Sequence, residues 1–210
     1  DAFFHEVFKA WNLDMKISVK TRLGIADEAE FSEVLEVLNT YHEGIIALSA
    51  CLAGEVQRYI TKGLYEEAKK CALKYEACFG KGNYFLELQD HGIPEQKTVN
   101  QALFRMSKEL MIPLVATNDI HYTYAEDAES HDLLLCLQTG KKVTDTDRMR
   151  YDGGQYYVKS EMERRALFLY SQEAIDNTAR IADRCNVYIE FGGTSMPIIK
   201  TLKKIRDNDV

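Results

Sequence analysis

The amino-acid sequence predicts an α/β fold in which parallel strands alternate with crossover helices, and two observations lead there. Short apolar runs of strand length recur between longer segments whose apolar residues repeat at helical spacing. Glycine and proline punctuate the boundaries, with Gly44 ahead of one run and Pro113 at the entry to another. Such alternation implies right-handed crossovers in an open sheet or a barrel, and an incomplete α/β barrel with C-terminal helices is the expected form.

Residues 16–20 alternate as a short strand, and residues 28–41 place Phe31, Val34, Leu35 and Leu38 on one helical face. After Gly44, residues 45–49 read as a buried strand, and residues 66–79 form a helix with Ala68, Cys71, Ala72 and Tyr75 inward. Residues 84–89 make a third strand, 95–110 a third helix and 114–117 a fourth strand. Residues 127–138 and 160–170 read as helices on either side of a polar, turn-rich stretch around 145–154. Residues 171–184 supply a last helix with Ile175, Thr178, Ala179 and Ala182 facing inward.

Of the 210 residues, 46% are hydrophobic and 28% charged, which is ordinary for a globular protein. The longest apolar stretches are far shorter than the roughly 20 residues needed to cross a bilayer, and the N-terminus does not resemble a secretory leader, so no membrane span and a cytoplasmic address are expected. Five cysteines, Cys51, Cys71, Cys78, Cys136 and Cys185, make an odd count without a pairing pattern, which predicts reduced thiols. A formal charge of −7 argues against a chain that grips nucleic acid by its phosphates. The basic residues Lys141, Lys142, Arg148 and Arg150 are interleaved with Asp145, Asp147 and Asp152, which predicts a solvated loop.

Chemistry in α/β folds sits at the carboxyl ends of the strands. There the sequence offers Cys51, Glu87, and Asp119 with His121. A carboxylate and an imidazole two residues apart on an extended segment face the same way and suit zinc or manganese, and a thiolate would favour zinc. On spacing alone a small buried cysteine and a chance Asp-x-His pair explain the same residues. His91, between Gly92 and the strand end, reads as a loop histidine bonded to the backbone, and His131 as a half-buried structural one. No phosphate-binding glycine loop and no serine nucleophile elbow is present.

Residues 41–56 (YHEGIIALSACLAGEV), 84–97 (YFLELQDHGIPEQK), 114–122 (LVATNDIHY), 127–140 (DAESHDLLLCLQTG), 157–160 (YVKS) and 177–187 (NTARIADRCNV) resemble, in order, the polymerase and histidinol phosphatase (PHP) region of bacterial DNA polymerase III alpha subunits. The resemblance implies a distorted α/β barrel, a role in DNA replication beside the rest of the holoenzyme and DNA, and a divalent metal site, zinc or manganese, with Cys51, Asp119 and His121 as ligands. It also implies an opening His-x-His strand and further ligands, and the five histidines contain no such pair. The implied site is therefore partial, with no polymerase core. Metal-dependent phosphoester hydrolysis is the enzymatic alternative and a chimeric, non-enzymatic barrel another. Residues 15–25 (MKISVKTRLGI) resemble a βα unit of the FMN-dependent tRNA-dihydrouridine synthases, in which the lysine matching Lys20 contacts the flavin. The expected division is 1–40, 41–140 for the PHP portion, and 141–210 for a helical region with a divergent tail. Open strand edges in an incomplete barrel predict self-association.

Overall fold

In the computed structural model of the chain, residues 38–186 are described. The expected strand at 16–20, the helix at 28–41 as far as residue 37, Lys20 with its synthase-like surroundings, and the tail from Gly192 lie outside them. The described residues up to Arg184 belong to one compact unit.

Three parallel strands, β1 (Ala47–Leu48), β2 (Tyr84–Leu88) and β3 (Leu114–Ala116), form one sheet in the order β1-β2-β3. Between β1 and β2 run α1 (Glu55–Thr61) and α2 (Tyr65–Phe79), and between β2 and β3 runs α3 (Pro94–Leu110). A 3-10 turn (Ala125–Asp127) leads into α4 (Ala128–Thr139), followed by α5 (Glu161–Leu167) and α6 (Gln172–Arg184). The α/β class is as expected, and among the described residues the sheet is open.

All of β2 is buried, as a central parallel strand must be. Its alternation sends Tyr84, Leu86 and Leu88 into a core built with Val56 and Ile60 of α1, Ala68 and Ala72 of α2, and Leu103 and Met106 of α3. Burial of each large apolar side chain here contributes roughly 1.5–3 kcal/mol. Phe85 and Glu87 face the other way.

Four sequence expectations need correction. The buried strand at 45–49 is only two residues long, with Ile45 and Leu48 each 37% exposed, because β1 is paired on one side alone among the described residues. Helix α1 escaped the periodicity reading because seven residues contain one apolar repeat, Val56 to Ile60. Helix α5 opens on a Ser160–Glu163 capping box and stops at Leu167, since Phe168 leaves helical geometry and enters the core. In α6 the inward residues are Ala174, Ile175 and Asn177, while Ala179 is exposed.

That rotation of α6 has a purpose at the sheet. Asn177 Nδ2 donates to the Leu114 carbonyl (2.7 Å) and Thr178 Oγ1 to the Ala116 carbonyl (2.9 Å). Two side chains thus satisfy carbonyls that a fourth strand would otherwise take.

All five cysteines are free, and Cys71, Cys78 and Cys136 are buried. Burial, reinforced by the neighbouring Glu55 carboxylate, pushes the Cys71 thiol up to about 12. The thiolate is the reactive form, so Cys71 in the native chain is expected to resist alkylation at neutral pH and to react on unfolding. Peptide mass spectrometry after timed iodoacetamide exposure checks this, and native labelling of Cys71 as fast as in denaturant would contradict it.

Candidate functional site

The carboxyl ends of the three strands are tied by one polar network. Ser49 Oγ accepts from the Glu87 backbone N–H (2.8 Å) and from Gln57 Nε2 (2.8 Å), and the same Gln57 amide donates to the Ala50 carbonyl (2.9 Å). The Glu87 carboxylate accepts from the Ala50 N–H (3.0 Å), from Gln89 Nε2 (3.0 Å) and from the Thr117 hydroxyl. Ala50 holds a left-handed backbone (φ 69°), which aims its N–H at that carboxylate. Glu87 is buried and its acceptor sites face donors from all three strand ends, so it acts as a cross-link here and is removed from the metal-capable set.

Cys51 lines a cavity of about 10 Å³ with Gln57, Glu87, Gln89, Gln96 and Asn100. That volume holds at most one water.

Beyond β3 the chain brings Asp119 and His121 together. Asp119 Oδ2 lies 3.4 Å from His121 Nε2, close enough for an ion contact and too poorly aligned for a hydrogen bond. His121 Nε2 is buried and has no hydrogen-bond partner. The main chain of His121 is anchored by its N–H to the Tyr156 carbonyl (2.8 Å). The structure thus joins two of the three expected ligands, and among the described residues no group of three or more His, Cys, Asp or Glu side chains is placed to hold a metal ion.

Aromatic rings enclose His121. Its ring centroid is 4.2 Å from Tyr151, 5.5 Å from His131 and 5.6 Å from Tyr156. Burial, with His121 alongside, holds the half-buried His131 below the usual histidine range. Tyr151 also lines an open depression of about 270 Å³ between α4 and residues 150–154, whose rim carries Glu129, Asp132, Arg150 and Asp152. The basic loop is solvated as expected at Lys141, Lys142 and Arg150, and Arg148 is the exception: its side chain is 1% exposed, and its guanidinium grips Asp132 through two bonds of 2.6 and 2.7 Å. The bidentate match of guanidinium and carboxylate pins the loop to α4.

His91 is buried and contacts the backbone, as the sequence suggested, and it does more. Its N–H donates to Gln96 Oε1 (2.7 Å), so the other end of that amide is the donor facing His91 Nδ1 at 3.0 Å. Its ring stacks on Tyr156 at 4.4 Å with 5° between planes, and Nε2 lies 3.3 Å from the Asp119 backbone nitrogen. A neutral imidazole has one acceptor nitrogen, and the shorter contact assigns it to Nδ1. Burial, aided by the nearby Lys159 ammonium, holds His91 below its usual range.

In donor type the Asp119–His121 pair fits a divalent cation: a carboxylate beside an imidazole nitrogen that is buried and makes no hydrogen bond. It supplies two ligands of the four or more such an ion takes.

A PHP domain matches residues 13–91, reaching back into the stretch likened to a dihydrouridine synthase. The DNA polymerase III subunit alpha of Treponema pallidum is 43% identical over 163 residues, covering 78% of this chain and 14% of that protein. The subunit of Campylobacter jejuni is 40% identical over 187 residues (83% and 15%), and that of Deinococcus radiodurans 44% over 160 residues (75% and 12%). The chain spans about a seventh of the length of these relatives. Over three quarters of its residues, the chain is a homologue of the PHP-bearing part of bacterial DNA polymerase III alpha subunits.

Proposed function

We propose that the chain serves DNA replication as the PHP portion of a replicative polymerase alpha subunit, and that Asp119 and His121 supply two ligands to a zinc or manganese ion there, while Cys51, the third residue the resemblance implies, lines the small cavity beside Glu87. The observation that supports the metal reading is the buried His121 Nε2, which faces the Asp119 carboxylate and has no hydrogen-bond partner. A polar nitrogen buried without a partner is costly unless something takes it up. When bound, a divalent cation supplies Lewis-acid activation of water at a phosphoester. The chain's own part is to hold the two donors in fixed register: the Tyr156 carbonyl fixes the His121 backbone, and the surrounding rings of Tyr151, His131 and Tyr156 limit water at the imidazole. DNA and the rest of the holoenzyme are the proposed partners. With a net charge of −7, the grip on DNA phosphates falls to other parts of such an assembly. The α/β barrel form and the cytoplasmic address belong to the same proposal. No described helix is long and apolar enough to cross a membrane.

Elemental mass spectrometry of the purified chain beside an Asp119→Ala, His121→Ala double variant tests the site. Near-stoichiometric zinc or manganese in the parent, lost in the variant, is expected. Equal metal in the two, or none in either, would overturn the metal reading.

A further inference from the structure

We infer that His91 is a positioning residue for the Asp119–His121 pair, an inference that rests on the metal-holding reading above. His91 is 2% exposed, and Gln96 holds its ring at Nδ1. Gln96 grips it twice, through the backbone N–H (2.7 Å) and Nδ1 (3.0 Å), and Gln96 is itself buried at the start of α3. A rigid helix therefore sets the orientation of the imidazole.

The far side of the ring points at the candidate pair. Nε2 sits 3.3 Å from the Asp119 backbone nitrogen, and the Asn118 side chain is within hydrogen-bonding reach. Asn118 in turn donates to the Tyr157 carbonyl (2.6 Å), which joins the strand-end segment to the loop that carries Tyr156. The flat stack of His91 on Tyr156 (4.4 Å, 5°) orders the same loop, and the Tyr156 carbonyl accepts the His121 N–H (2.8 Å) and the Tyr122 N–H (3.3 Å). One imidazole thus abuts the main chain of Asp119 directly and reaches that of His121 through a single intervening residue. Groups that orient ligands in this way are typically worth about ten- to a hundredfold in metal affinity.

The test is a zinc titration of the full chain against a chromophoric chelator, run on the parent, His91→Phe, Gln96→Leu and Asp119→Ala, with thermal unfolding of each alongside. Phenylalanine keeps the stack on Tyr156 and removes both nitrogen contacts, while Gln96→Leu frees the ring from α3 without touching it. Zinc affinity lowered about tenfold or more in His91→Phe, with the cooperative transition retained, is the expected result. A smaller loss in the same direction is expected for Gln96→Leu, which also carries the test if His91→Phe does not fold. Parent-like affinity in a folded His91→Phe or Gln96→Leu chain, while Asp119→Ala loses zinc, would overturn the positioning role and leave the metal reading standing. Parent-like affinity in Asp119→Ala would overturn the metal reading and this inference with it.

Discussion

Replacing Gly54 by alanine is expected to lower the stability of the chain by about 3 kcal/mol or more, the upper end of what overpacking a buried site costs. Gly54 has an ordinary backbone (φ −62°, ψ 152°) at the start of α1, so no left-handed conformation demands glycine there. Close approach does. An added Cβ would lie 2.3 Å from the Ser49 carbonyl oxygen, 2.5 Å from Gln57 Oε1 and 3.0 Å from the Cys51 carbonyl oxygen. Two of those atoms are main chain, and the third belongs to a side chain held by Ser49 and Ala50. Nothing in that set yields without moving residues 49–57 as a block. Domains of this size are stable by only about 5–15 kcal/mol, so the loss should be plain in urea unfolding and as a large drop in the thermal midpoint. A Gly54→Ala chain within ~0.5 kcal/mol of the parent, the ordinary range of surface substitutions, would show that this turn is looser than described.

Glu87→Ala is expected to be comparably severe, costing about 3–5 kcal/mol, because it strips a buried acceptor from several donors at once. The Ala50 N–H would lose its acceptor Oε2, and the Gln89 amide and the Thr117 hydroxyl would lose Oε1. Glu87→Gln separates charge from shape. Its amide oxygen can still accept, while its NH2 end meets donors, so an intermediate loss is expected. Urea unfolding of both variants checks the order, and a Glu87→Ala chain as stable as Glu87→Gln would refute the cross-linking role.

Much of the architecture was legible in the sequence because its signals are local. Helices α2, α3, α4 and α6 and strands β2 and β3 follow from apolar period and from Gly and Pro punctuation, with ends shifted by a residue or two. The failures have local causes as well. Helix α1 is too short for periodicity, and β1 looked buried because an apolar run does not say how many neighbours a strand will have. In α6 the sequence counted small and apolar positions as the inner face, whereas Asn177 and Thr178 turn inward to meet bare carbonyls of β3.

At the candidate site the division is sharper. By itself the sequence determined the α/β class, the reduced thiols, the strand-end location of Cys51, Glu87, Asp119 and His121, and the likeness to polymerase alpha subunits that the comparisons bear out. Only the tertiary structure decided that Glu87 is a cross-link, that Arg148 is buried against Asp132, that Asp119 and His121 stand together, and that His91 backs them. The physical reason is sequence distance. Ala50 meets Glu87 across 37 positions, Glu87 meets Thr117 across 30, and Asn118 meets the Tyr157 carbonyl across 39. A carboxylate or an imidazole takes its role from the donors and acceptors around it, and at this site the sheet and its crossover helices bring those partners in from distant parts of the chain.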